Sequence, residues 1–172
     1  MKLLFIIILL SLNLFSASSY VKSKEQILLE SIQKHAIQIG TGNSQKVYIF
    51  VDPMCNFSQK LVTKIIGDEH LQEENTYYIF LYRLEMFESD SLIWYIFESD
   101  DKMSNLEEVM IYGGTGIDGF KPNNKTLKAL KEISEVGENL NIILRPYTIS
   151  FKKDSKYCKV SSGEASCEDD SW

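Results

Sequence analysis

The chain has 172 residues, enough for one domain with its own core once a leader is set aside. It carries 24 acidic against 18 basic side chains. That balance excludes recognition through a nucleic-acid backbone, because phosphate contacts need clustered Lys and Arg. The densest basic cluster, Lys152, Lys153 and Lys156, is too small to reverse it.

Residues 1–19 read as a secretory signal peptide. Lys2 is the positive end, Leu3 to Leu12 is almost wholly apolar, and Ser16 to Ser19 offer small residues for cleavage after Ser18 or Ser19. The apolar run is short for a membrane span of roughly 20 residues, and no second one follows, so no stable membrane insertion is expected after cleavage. Its removal takes away Lys2 and no acid, which leaves the mature chain more acidic still.

Residues 20–43 are expected to form an N-terminal helix and a linker. Apolar residues at 28, 32, 36 and 39 recur at helical spacing, and Gly40 to Ser44 reads as a loop. His35 falls on the edge of the apolar face and reads as structural. Val47 to Val51 is a β-branched and aromatic run, hence a buried strand. Asp52 and Pro53 break it. A helix then runs from Cys55 through Ile66, with Leu61, Val62, Ile65 and Ile66 apolar and Gly67 as its stop. His70, beyond that stop, is expected at the surface. Thr76 to Tyr82 reads as a second strand.

Residues 84–112 read as a two-helix insert, one helix over Leu92 to Phe97 and one over Met103 to Met110. The glycines of Gly113 to Gly116 follow no strand and lack nucleotide-loop spacing, so they read as a connection. Lys125 to Leu140 is amphipathic, with Gly137 weakening its last turn. Tyr147 to Phe151 alternates like a strand. Lys152 to Lys156 makes a turn and Tyr157 to Val160 returns. Residues 161–172 form an acidic tail. The fold class that follows is α/β, with a thioredoxin-like domain over 44–160, a central mixed sheet and a helical insert.

All three cysteines, Cys55, Cys158 and Cys167, lie after the leader. An exported chain meets an oxidising compartment, where an odd count leaves one sulfur over. Cys55 stands at the first turn of a helix after a strand, in the order Cys55, Asn56, Phe57, Ser58. A thiolate is the nucleophile of disulfide exchange, and the free N–H groups of a helix N-terminus favour it.

The segment Phe50-Val-Asp-Pro-Met-Cys-Asn-Phe-Ser58 resembles the active-site segment of the DsbC/DsbG group of periplasmic disulfide isomerases and the TrbB-type proteins of conjugative plasmids. Arg145-Pro146, just before a strand, is similar to that group's cis-proline position. Three departures stand out. Ser58 replaces the resolving cysteine, no dimerisation domain precedes the fold, and no closing helix is evident after residue 160. The resemblance implies Cys55 and Ser58 as the catalytic pair, with the serine hydroxyl donating to the thiolate. It implies substrate contacts at Pro146, Arg145, Met54 and Phe57. It also implies a monomer of the periplasm that exchanges disulfides with cysteine-containing exported clients, kept reduced by a membrane thiol reductase. No cofactor and no metal is expected.

Cys158 and Cys167 are expected to form a structural disulfide that ties down the tail, worth on the order of 2–3 kcal/mol by loop closure. One of them acting as a remote resolving cysteine stays open. So does a second reading, a non-catalytic binding or assembly protein of a secretion or conjugation apparatus, with Trp94, Tyr95 and Phe97 as its contact surface.

Overall fold

The computed structural model describes residues 22–117, 119–155 and 157–163. The expected leader, Cys167 and residues 164–172 of the expected tail lie outside them.

The centre is β2 (Gln45–Val51), whose residues from Val47 onward are all buried. It pairs in parallel with β3 (Asn75–Leu81), in register from Gln45 opposite Asn75 to Val51 opposite Leu81. The crossover between them is α2 (Asn56–Gly67) followed by α3 (Glu69–Glu74). On its other side β2 pairs antiparallel with β4 (Tyr147–Lys152), which pairs antiparallel with β5 (Cys158–Ser162). With β1 (Ile37–Ile39) antiparallel to β3, the sheet order is β1-β3-β2-β4-β5.

Three local expectations need correction. The spacing at 28, 32, 36 and 39 predicts one continuous helix. Instead α1 (Lys24–Ile32) ends in a 3₁₀ turn at Gln33–His35, and β1 follows. Ala36 is extended, and Ile37 and Ile39 face inward while Gln38 faces out. Three residues of strand alternation are too few to stand out against a helical register that happens to include them. The stop at Gly67 is real, but a second helix starts at once because the Asp68 carboxylate accepts from Leu71 N–H at 3.2 Å. β5 also runs two residues beyond the expected return strand.

The two faces of the sheet are packed differently. On one, Tyr48 stacks on Tyr78 at 5.1 Å and Phe50 on Phe80 at 5.0 Å, and Phe151 meets Tyr48 edge-on. That face is covered by α1 and by α6 (Asn124–Asn139), which touch each other. Asn123 caps α6 by accepting from Lys125 and Thr126 N–H. Gly137 has a packing reason, since a Cβ there would collide with the Tyr82 ring. On the other face α2 lies over Ile49, and the insert packs against α2 through its second helix. The insert is α4 (Asp90–Glu98) and α5 (Lys102–Tyr112). Phe97 is buried and Trp94 and Tyr95 are half-buried against the core, so this aromatic cluster is packing.

α1 and α6 are also tied by charge. His35 Nε2 lies 2.7 Å and Lys34 Nζ 3.0 Å from Glu132 Oε2. His35 is thus structural, as its sequence position implies, and His70 is exposed on α3. The hydrogen bond from His35, then Lys34, holds the Glu132 carboxyl down to about 2. A carboxyl lowered on folding adds stability above its unfolded value near 4.5 and loses it as pH falls through the folded one. Glu132→Gln should therefore lower Tm slightly at pH 7, and the gap to the parent should close between pH 4.5 and 2. Thermal melts across that range check it.

Candidate functional site

The site forms where β2 ends. Asp52 and Pro53 turn the chain, and Cys55 N–H donates to Asp52 O at 3.0 Å. Cys55 is then the N-cap of α2, in extended conformation, with its carbonyl accepting the first helical bond from Gln59 N–H at 2.9 Å. Its sulfur is buried, at 6 % residue exposure, and donates to Arg145 O at 3.4 Å. The Arg145–Pro146 peptide bond is cis. The helix start and the proline loop, 90 residues apart in sequence, therefore meet at the sulfur.

Ser58 is fully buried one turn on. Its hydroxyl accepts from Asp52 N–H at 3.3 Å, and no hydrogen bond joins it to the Cys55 sulfur. In this structure it steadies the turn rather than the thiol.

Arg145 does not face outward. Its side chain is buried and stacks 3.7 Å from the centre of the Tyr82 ring. Nε donates to Tyr82 O at 2.8 Å, Nη2 to Arg83 O at 3.3 Å, and Nη1 to Leu144 O and Ile142 O. No carboxylate among the described residues lies within ion-pair distance of it. Burial pushes the guanidinium down from the usual arginine value, against the upward pull of Tyr82, Asp52 and Cys55. The expected substrate contact at Arg145 can therefore come only from its backbone. Pro146 is buried beside the sulfur, while Met54 and Phe57 are exposed on the turn.

Sequence reasoning treats Asp52 as a strand breaker and misses its larger role. The carboxylate is fully buried. Oδ1 accepts from Met54 N–H at 2.8 Å, and Oδ2 accepts from Leu84 N–H and from the Ser89 hydroxyl. The signal was available, because an Asp that bonds the N–H two residues on is a recurrent turn device. Ile143 and Leu144 are exposed just before Arg145.

Beside α2 a cleft of about 350 Å³ opens onto the sheet. Ile49, Leu61 and Ile65 line its interior, and Phe57, Pro146 and Gly163 also line it. Gly163 belongs to this end of the sheet because its N–H donates to Pro146 O at 2.9 Å. Cys158 is exposed at the far end of β5, opposite Phe151, and is not bonded to Cys55.

A five-stranded mixed sheet, a cysteine at the start of the helix after its central strand, and a cis-proline whose preceding carbonyl meets that cysteine define a thioredoxin-fold protein. The solved structures it resembles are of that fold. One is the disulfide interchange protein of Neisseria gonorrhoeae, 19 % identical, covering 76 % of this chain and 86 % of the other, with a TM-score of 0.57. Helicobacter pylori DsbG is 22 % identical over 74 % of this chain and 62 % of its own, with a TM-score of 0.56. The catalytic domain of Proteus mirabilis ScsC is 15 % identical over 80 % and 89 %, with a TM-score of 0.54. No family model and no curated protein sequence matches the chain.

Asp52→Ala would strand three donors, each costing about 1–3 kcal/mol when left unpaired. The variant should lose about 3 kcal/mol in urea unfolding, with faster amide exchange at Met54 and Leu84. An unchanged midpoint would show that the carboxylate does not organise the site.

Proposed function

We propose that this is an exported thiol–disulfide exchange protein of the isomerase type, working in the periplasm through the single active-site cysteine Cys55. The observation that carries this reading is the Cys55 thiol at the start of α2, donating to the carbonyl before cis-Pro146. A nucleophile there can meet an extended client strand laid along the proline loop, in the manner of strand addition to a sheet edge. The names of two structural neighbours, a disulfide interchange protein and DsbG, agree with disulfide chemistry.

The Cys55 thiolate attacks a client disulfide. A sulfur–sulfur bond forms between Cys55 and the client, and one client thiolate leaves. Ser58 cannot expel the client, because a hydroxyl does not replace a thiol in exchange. A second thiolate of the client then attacks the mixed disulfide and releases Cys55 as thiolate. No electrons are gained or lost, so the client's pairing is rearranged and its oxidation state is kept.

Pro146 and the exposed Met54 and Phe57 make the client surface, extended by Ile143 and Leu144. The cleft beside Phe57 accepts a client side chain next to the reacting pair. Arg145 serves through its carbonyl, while its side chain holds the loops. Clients are cysteine-containing exported proteins, a membrane thiol reductase keeps Cys55 reduced, and the protein acts as a monomer without cofactor. Cys158 pairs with Cys167. An assembly role built on Trp94, Tyr95 and Phe97 is less favoured, since Phe97 is buried and Trp94 and Tyr95 are half-buried against the core.

Refolding of scrambled ribonuclease tests the reading. The parent should restore activity well above background, and Cys55→Ala should not. Ser58→Cys should gain insulin reduction in the presence of dithiothreitol, because it supplies the missing thiol one turn on. A parent no faster than Cys55→Ala would overturn the proposal.

A further inference from the structure

The cleft beside α2 extends well past the thiol. Phe57 and Pro146 line it at the Cys55 end, and Asn75, paired with Gln45 at the start of β2, lines the other. It therefore runs down the sheet away from the sulfur. One wall is apolar, with Ile49 from β2 and Leu61 and Ile65 from α2. The floor next to it, on β4, is polar. Thr148 and Ser150 line the cleft opposite Ile49 and Val47, and both are buried, at 9 % and 4 % exposure. No side-chain hydrogen bond among the described residues uses either hydroxyl. The Oδ1 of Asn75, a residue 7 % exposed, has no partner among them either. Polar groups buried without partners are costly, so these three define the guest that fits. A hydrocarbon chain would leave them unmet, and so would a helix, whose backbone is bonded internally. An extended peptide brings free N–H and C=O groups along its edge. Charge narrows the choice further. Lys60 and Lys64 line the cleft one turn apart on α2, a helix with no acidic side chain. Neither has an ion pair among the described residues, and Lys60 Nζ stands 5.7 Å from the centre of the Phe57 ring. Like charges at that spacing repel, so the pair is a cost to the helix that a guest carboxylate relieves. Glu74 lines the far end, where His70 Nε2 lies 3.6 Å away.

We propose that this cleft selects clients by the sequence beside their cysteine. It takes an extended client segment that sets an apolar side chain against Leu61 and Ile65 and an acidic one at Lys60 or Lys64. The proposal rests on Cys55 being the nucleophile argued above. Lys60 and Lys64 follow Cys55 by five and nine residues, roughly 7.5 and 13.5 Å at helical rise. At strand rise an extended client covers that distance in about two to four residues, which is where its acid stands relative to its cysteine. The hydroxyls of Thr148 and Ser150 bond the client backbone, because the backbone of β4 is already used by β2 and β5. The segment stays seated while Cys55 holds the mixed disulfide, so a second client thiol has time to resolve it.

The test uses the full chain and two short peptides. One carries Phe and Glu at those spacings on both sides of a central cysteine, and the other has Lys in place of Glu. Each cysteine is capped with nitrothiobenzoate, so attack by the Cys55 thiolate joins Cys55 to the peptide sulfur and releases the coloured thiolate. The parent should react with the Glu peptide at least tenfold faster than with the Lys peptide, and the ratio should shrink as salt rises. The net negative charge of the chain favours the opposite order, so it cannot produce this one. Lys60→Glu/Lys64→Glu should reverse the preference, and Thr148→Val/Ser150→Ala should slow the Glu peptide severalfold. Equal rates in the parent would overturn the proposal, as would a preference unchanged in the lysine variant or a hydroxyl variant as fast as the parent. Calorimetry with serine in place of the peptide cysteine tests the cleft without the thiol. If the Glu peptide binds there but no nitrothiobenzoate is released from its capped form, the nucleophile assignment fails and the cleft stands. Dodecanoate bound more tightly than either peptide, with no preference between the two, would overturn the proposal in favour of a lipid chain.

Discussion

Two buried ionic side chains of opposite sign grip one short piece of backbone, and the geometry around the sulfur depends on that grip. Asp52 holds Leu84 N–H, and Arg145 holds the carbonyls of Tyr82 and Arg83. Neither is matched by an ion pair among the described residues. Both are spent on backbone groups that would otherwise be orphaned between the end of β3 and the start of the insert. The residues that carry these charges also shape the site from two sides. Asp52 O takes the Cys55 N–H, and Arg145 O takes the Cys55 thiol. A buried charge without a full set of partners is expensive, so each has few alternative positions. The cysteine inherits that rigidity.

This arrangement explains why a single sulfur suffices as a defined site. The turn from β2 into α2 is fixed by Asp52 through Met54 N–H and through Ser58, whose hydroxyl accepts from the Asp52 backbone. The serine that replaces a resolving cysteine therefore has structural work where it stands. The proline loop is fixed by Arg145, stacked on Tyr82, and Tyr82 in turn needs the missing side chain of Gly137 to lie flat against α6. The rigid inner layer carries an outer layer of exposed apolar residues, Met54, Phe57, Ile143 and Leu144. Under the proposed exchange reading, a fixed thiol beneath an exposed apolar rim suits clients that share a disulfide but no common sequence.

Much of the fold was legible because its core strands are written plainly. The runs Val47–Val51 and Thr76–Leu81 are buried on both faces and carry the β-branched and aromatic residues such strands require. The cis-proline was read through its resemblance to a known loop, and the place of Cys55 through the strand break before it. What stayed hidden was decided by partners distant in sequence. β1 is three residues long and exists because β3 offers it an edge. Arg145 read as a substrate contact, because nothing local shows that carbonyls 62 and 63 residues away would draw its side chain inward. Asp52 read as punctuation, because its second oxygen serves Leu84 and Ser89, more than thirty residues on. Local pattern shows which residues are buried, whereas polar satisfaction is a property of the assembled chain.

The proposed function requires Cys55 to make covalent exchange bonds with other proteins. Disulfide mapping by mass spectrometry, on protein alkylated in its native compartment under acid quench, tests it most directly. A fraction of Cys55 should be joined to cysteine peptides of other exported proteins, and this fraction should rise when client disulfides are scrambled by an added oxidant. Cys55 found only as an unmodified thiol under both conditions would contradict it.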